Sequence, residues 1–235
     1  MPNSYVLLHI IEGFRQDPEG WWNGCHELRE FFRKEFDHYS RCTLDIKLSQ
    51  WDSDFEKSVQ DLVEIRKRYK VPRERFAIGL FPFSWGVGHG VPAYGKQLKR
   101  YGFQANVCVP CDGVYYRDDV LLGFLGSWTG ILGDDRIKFP DNVLHTIPFF
   151  QKQDIPHGRG IATTQSMEQA IELPYIHTQM DDAPEWHLKC VEAAHQLIRE
   201  FLPSKDAPST APTVAKTIEK LEESKLAHEV EGEDK

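Results

Sequence analysis

The sequence holds no apolar run long enough to cross a bilayer. Its most continuous one, Tyr5 to Ile11, is far short of the roughly 20 residues that a spanning helix needs. Met1-Pro2-Asn3-Ser4 lacks the basic stretch of an export signal, so the expected location is cytoplasmic and no membrane partner is expected. Positive charge is scarce too: 28 Lys and Arg face 36 Asp and Glu, for a net charge of −8. A nucleic-acid binder normally shows a basic face, so no nucleic-acid partner is expected. Cysteine is sparse. The five residues are odd in number and scattered, which fits reduced thiols rather than a disulfide framework. Cys108 and Cys111 form a C-x-x-C spacing that suits redox or zinc chemistry. No second pair follows, and the motif does not open a helix. The plainer reading is two small hydrophobes at a strand end, with no metal and no cofactor.

What the chain does contain is alternation. With 235 residues, 40% of them hydrophobic, it can build one sizeable domain plus an appendage. Tyr5 to Ile11 is apolar throughout, the mark of a strand buried on both faces of a parallel sheet. His26 to Phe36 places Leu28, Phe31, Phe32 and Phe36 at helical spacing. Cys42 to Leu48 alternates as a second strand. Asp54 to Tyr69 reads as a helix capped by Asp52 or Ser53. Phe76 to Phe83 reads as a third strand, and Val91 to Tyr101 as a helix stopped by Gly102. Gln104 to Val109 makes a fourth strand. Val143 to Phe150 and Tyr175-Ile176 add strand segments, and Pro184 to Phe201 is a closing helix. Arg117 to Pro140 fits a helix, a lid or a loop. The expected fold is α/β: a mostly parallel sheet with helices on both faces, in three layers. Residues 1–203 form that domain. Residues 204–235 are a Pro/Ser/Ala-rich linker followed by a polar helix and charged tail.

The chemistry gathers at Phe81-Pro82-Phe83-Ser84-Trp85-Gly86-Val87-Gly88-His89-Gly90. A buried strand runs into a serine, and a glycine-rich turn and a helix follow. In the G-x-S-x-G nucleophile elbow, the serine occupies such a sharp strand-to-helix turn. Small neighbours let strand and helix backbones approach, and the N–H after the serine can hold an oxyanion. Gly86 matches the second glycine, and Pro82 stands where the first should be. The plainer reading makes Ser84 a turn residue or helix N-cap.

A nucleophilic serine needs a base, and the base needs an orienting carboxylate. Asp112, in Cys108-Val-Pro-Cys-Asp-Gly-Val-Tyr-Tyr116, follows a strand end, where open α/β sheets place their ligands. His177, in Tyr175-Ile-His-Thr-Gln-Met-Asp-Asp182, precedes the closing helix. The order Ser, Asp, His fits the elbow's triad. The runner-up base is His157, whose Pro/Gly surroundings read more as a loop that closes over the site; the runner-up acids are Asp118 and Asp119, which read more as solvated loop residues. His89 reads as surface or pocket lining. Trp21, Trp22, Trp85 and Trp128 either line an apolar pocket or pack the core.

These stretches, S-W-G, C-D-G-V-Y-Y and H-T-Q-M-D-D-A-P-E-W-H, resemble the small α/β-hydrolase-like (lipase-like) serine hydrolases. That family carries a serine elbow, a strand-end D-P-V-Y-like segment and a late H-x-x-I-D-D-like segment. The resemblance spans Tyr5 to Phe201 in element order and these three segments in residues. It implies an α/β-hydrolase-like fold with Ser84 as nucleophile, Asp112 as acid and His177 as base. It also implies an oxyanion donor in the loop after the first strand, at Gly13 or Phe14, beside the N–H of Trp85. Pro82 and Gly113 depart from the pattern. The expected function is hydrolysis of an ester, thioester or amide, on a small-molecule substrate with an apolar acyl part. The rival is a catalytically silent member of the fold that binds a ligand or protein partner.

Overall fold

The computed structural model describes residues 4–14, 24–40, 43–114 and 136–202. Its elements are β1 (Tyr5–Ile11), α1 (Gly24–Glu35), β2 (Leu44–Ser49), α2 (Phe55–Tyr69), β3 (Phe76–Pro82), α3 (Val91–Arg100) and β4 (Val107–Cys108). Then come β5 (Ile137–Lys138), β6 (His145–Thr146), β7 (Phe149–Phe150), β8 (Ile161–Ala162), β9 (Ser166–Met167), β10 (Ile171–Glu172) and α4 (Pro184–Phe201). Six strands form one sheet in the order β2-β1-β3-β4-β6-β9, paired in parallel at every step. The pairs β7–β10 and β5–β8 stand outside it.

All seven residues of β1 and all seven of β3 are buried, as an apolar run in a parallel sheet requires. Side chains alternate between two cores. Val6, Leu8 and Ile10 meet Leu28 and Phe32 of α1 and Trp186, Val191 and Leu197 of α4. Tyr5, Leu7 and Ile11 meet Phe55, Val59 and Leu62 of α2 and Val91, Tyr94 and Leu98 of α3. Helices therefore cover both faces of the sheet.

Several elements differ from their sequence patterns for local reasons. Helix α2 is capped by Asp54, whose Oδ1 accepts from Lys57 N at 2.9 Å, rather than by Asp52 or Ser53. β4 is shorter than Gln104 to Val109, because the Asn106 side chain takes the Ile78 N–H at 3.0 Å and interrupts the ladder. Pro148 has no N–H, and the run Val143 to Phe150 divides around it: β6 joins the main sheet and β7 pairs with β10. Tyr175-Ile176 is not a strand. Pro174 follows β10, and a 3₁₀ turn, His177–Asp182, begins directly after Ile176. The linker and tail from residue 204 lie outside the described residues, as does most of Arg117 to Pro140. Among the described residues, no helix is long and apolar enough to cross a membrane.

Pro82 sits at the end of the central strand β3, between β1 and β4. The ladder runs Ser84 N to Cys111 O, Cys111 N to Pro82 O and Val109 N to Leu80 O. The carbonyl left for residue 82 is therefore that of Val109. Proline cannot donate to it. The indole Nε1–H of Trp186, at the start of α4, does so at 3.0 Å. Replacing Trp186 by Phe keeps an aromatic ring but orphans a buried carbonyl, a loss of about 1–3 kcal/mol. In the Trp186→Phe background, Pro82→Ala should recover part of that loss by restoring the backbone donor. In the wild-type background it should not stabilise. Urea midpoints of the four proteins measure this coupling, and strict additivity would refute the substitution of indole for backbone.

His9 on β1 is fully buried and bonds Ser49 Oγ at 2.8 Å. Burial, aided by the charge of Lys47, pushes its pKa from 6.5 down to about 3. The unfolded chain therefore binds a proton in this window that the folded chain does not. The contribution is fully present above about pH 6.5 and is lost as pH falls toward 3, at up to ~1.4 kcal/mol per pH unit. His9→Gln, which does not titrate, should flatten the decline of unfolding free energy between those pH values. An unchanged slope would refute it.

Candidate active site

The three sequence-selected side chains lie together beyond the C-terminal ends of β3 and β4. Phe83 N–H donates to Ile11 O at 2.9 Å and Ser84 N–H to Cys111 O at 3.0 Å. These bonds hang the turn between the ends of the neighbouring strands. Ser84 adopts φ 52°, Asp112 adopts φ 45°, and the other non-glycine residue with positive φ among those described, Lys70, ends α2. Left-handed backbone is tolerated at a helix end and by aspartate; at a serine leaving a central strand it is strain held by the surroundings. The Ser84 carbonyl accepts from Val87, Gly88 and Val114 N–H groups, which fixes the turn from the other side.

Glycine is needed at two positions here. A Cβ on Gly86 would overlap Ile11 O, and one on Gly13 would lie 2.8 Å from Ser84 Cβ. The segment Gly86–Gly90 forms a wide π turn that leads into α3. The loop after β1, with Gly13, thus lies against the serine. It is anchored by buried Glu12, which accepts from Gln50 Nε2 at 2.5 Å; His26 Nε2 lies 3.1 Å from the Glu12 Oε1.

Ser84 Oγ lies 2.9 Å from His177 Nε2, and His177 Nδ1 lies 2.5 Å from Asp112 Oδ2. A carboxylate only accepts, so Nδ1 carries the proton and Nε2 is left to accept from the serine hydroxyl. The imidazole stacks on Phe83 with ring centroids 5.3 Å apart. Ser84 is 4% exposed and Asp112 is wholly buried. The turn that carries His177 is secured by Cys111, whose thiol donates to Met180 O at 3.3 Å.

Sequence reasoning expected the Pro/Gly loop around His157 to close over the site, but missed Gln151 and Asp154 at its start. Gln151 donates to both oxygens of Asp112: its N–H to Oδ1 at 3.0 Å and its Nε2 to Oδ2 at 3.2 Å. Asp154 Oδ1 accepts the His177 N–H at 2.9 Å. Gly158 covers the carboxylate so closely that a Cβ there would overlap Asp112 Oδ1. In sequence, Phe150-Gln-Lys-Gln-Asp154 is an ordinary polar loop with no spacing or motif to single out Gln151.

The other candidates fall elsewhere. His157 is exposed on that loop, and His177 is the histidine brought to Ser84. Asp118, Asp119, Trp21, Trp22 and Trp128 lie outside the described residues. Trp85 stacks on Phe14 at 4.5 Å and meets Trp51 at 4.9 Å, and Trp51 meets His89 at 5.2 Å. Trp85, Trp51, Phe14 and His89 form an aromatic wall beside the serine, with Phe14 48% exposed. Trp51, one such wall residue, had no signal of its own in the sequence. A second Ser-His-carboxylate chain exists: Ser166 Oγ to His145 Nδ1 at 3.0 Å, and His145 Nε2 to Glu168 Oε1 at 3.2 Å. It is exposed on the edge strand β9, where Ser166 is extended.

Cys108 and Cys111 are both buried as free thiols and belong to opposite cores. Among the described residues, no group of His, Cys, Asp or Glu is arranged to hold a metal. No family model matches the sequence, and a search of curated proteins finds no match.

Burial pushes the Cys25, Cys108, Cys111 and Cys190 thiols well above their usual range. Reaction needs an exposed thiolate. Iodoacetamide mapping of the native protein at neutral pH should find these four alkylated orders of magnitude more slowly than in denaturant. Fast native labelling at Cys108 or Cys111 would reopen a redox role for the pair.

Proposed function

We propose that the protein is a serine hydrolase of the α/β-hydrolase type, using a Ser84–His177–Asp112 triad on an ester, thioester or amide. The observation that carries the reading is a serine at positive φ after a central strand, with its Oγ 2.9 Å from a histidine held by a buried carboxylate. Ser84 Oγ attacks the acyl carbonyl while His177 Nε2 takes its proton. Asp112 holds the imidazole tautomer and stabilises the imidazolium. In this reading the developing oxyanion is held by the backbone N–H groups of Trp85 and of Gly13 or Phe14, and the start of the helical segment after Ser84 adds favourable potential. Collapse expels the alcohol, thiol or amine, which takes the proton from His177. Water then adds by the same route, releasing the acid and restoring Ser84. The aromatic wall supports a small substrate with an apolar acyl part, taken up in the cytoplasm.

Pro82, the residue that departs from the elbow pattern, favours the rival of a silent binding protein. Its missing N–H is made good by Trp186, which favours the enzyme.

A fluorophosphonate probe should label the wild-type protein on the peptide containing Ser84. Ser84→Ala and His177→Ala should each remove most turnover of an activated short-chain ester, and the double mutant should lose little more. Asp112→Asn should cost on the order of 10³–10⁴-fold in kcat with the fold intact. Ser166→Ala should change nothing, because its hydroxyl lies on an exposed edge. Wild-type protein inert to both ester and probe would instead support the binding reading.

A further inference from the structure

We infer that Gln151 is the positioning residue of this site, fixing the Asp112 carboxylate and, through its own loop, the backbone of His177. The inference rests on the Ser84–His177–Asp112 hydrolase reading and deepens it. Among the described residues, the donors to Asp112 other than His177 both come from Gln151, one from its backbone and one from its side chain. Oδ1 is gripped from the chain, and Oδ2 is shared between Gln151 Nε2 and His177 Nδ1. With one Gln151 donor on each oxygen, this residue holds the plane of the carboxylate, and hence the line along which it meets the imidazole, while Gly158 packs against Oδ1.

The orientation of the Gln151 amide is itself determined. Its Oε1 accepts from two N–H groups, Gln153 at 2.6 Å and Asp154 at 3.1 Å. Its Nε2 faces only acceptors: Asp112 Oδ2, Asp154 O at 3.4 Å and Pro156 O at 2.8 Å. Flipping the amide would oppose like groups at every contact. The same side chain therefore folds the loop 152–156 around itself. That loop presents Asp154, whose carboxylate receives the His177 N–H. Acid and base are indexed to one amide: the acid directly, the base through Asp154. Gln151 is wholly buried, so water cannot replace these bonds when they are lost.

A purely structural residue would lower stability and leave the chemistry per folded molecule unchanged. A positioning residue changes the rate only while the group it positions still acts. The test uses Gln151→Met, which keeps length and removes the amide, and Gln151→Asn, which keeps the amide one methylene short of Asp112. Both are made in the wild-type and Asp112→Asn backgrounds and assayed per native molecule. In the wild-type background kcat and the probe-labelling rate should fall about 10–100-fold with KM within about 2-fold, the scale of a small misplacement. In the Asp112→Asn background the same substitutions should change kcat by less than about 2-fold. A second readout does not need turnover. The proton between His177 Nδ1 and Asp112 should give a far-downfield NMR resonance that shifts or broadens in both variants. If wild-type protein labels at Ser84 and the variants match its rate and its resonance, the assignment to Gln151 is overturned. An equal rate penalty in both backgrounds overturns it as well. A wild-type protein inert to the probe overturns the hydrolase reading, and the resonance then decides the positioning role alone.

Discussion

Strands β1, β3 and β4 run side by side, and the chain leaving β3 is bonded at once to both neighbours, Phe83 to Ile11 and Ser84 to Cys111. A serine with φ 52° would relax out of that conformation in a free turn. Here, relaxation would break one bond to each flanking strand and lift the π turn off Ile11 O. The close approach of Gly13 and Gly86, the direction of Ser84 Oγ and the position of α3 all depend on this double suspension. His177 and Asp112 then meet the serine from the other side of β4. The architecture is that of sites at the C-terminal ends of parallel strands, where the chain leaves the sheet in several directions at once.

The sheet was legible in the sequence wherever one chain segment alone determined its state. Tyr5–Ile11 and Phe76–Pro82 are apolar at every position, and α4 spans the Pro184 to Phe201 of its hydrophobic pattern. The second half of the sheet was less legible because its strands are two residues long. A pair of residues has no periodicity, and its state depends on Asn106 and Pro148 breaking the longer runs. Ser84, Asp112 and His177 stood out as chemistry-bearing residues at strand or turn ends. Gln151 and Asp154 did not, because their role lies in the paths of neighbouring loops, and a polar loop residue looks the same whether it faces water or a buried carboxylate. The C-x-x-C spacing was read as two small hydrophobes at a strand end, and the strand's alternation sends the two thiols to opposite cores.

Polar groups buried around the site share one logic. Several irregular stretches around the site are matched by groups from a distant segment. Trp186 serves Val109 O, Gln151 serves Asp112, Asp154 serves His177 N–H and Cys111 serves Met180 O. Such groups carry a large desolvation cost when unmatched, so the segments that supply them cannot drift independently. The site is rigid because its irregular pieces satisfy one another, while the regular sheet only brings them near.

The indole that completes β4 and the imidazole that faces Ser84 both come from the last part of the described chain, long after the serine has been made. A growing polypeptide can pair β1, β2 and β3 early, yet Val109 O stays without the Trp186 indole and Ser84 without its histidine partner until residues 177 to 186 have emerged. The docking of α4 ends that interval: it closes the backbone gap beside the serine and, with the turn that precedes it, brings His177 to the hydroxyl. On the hydrolase reading proposed above, reactivity at Ser84 would then report a finished fold, arising in chains whose C-terminal helix has found its place.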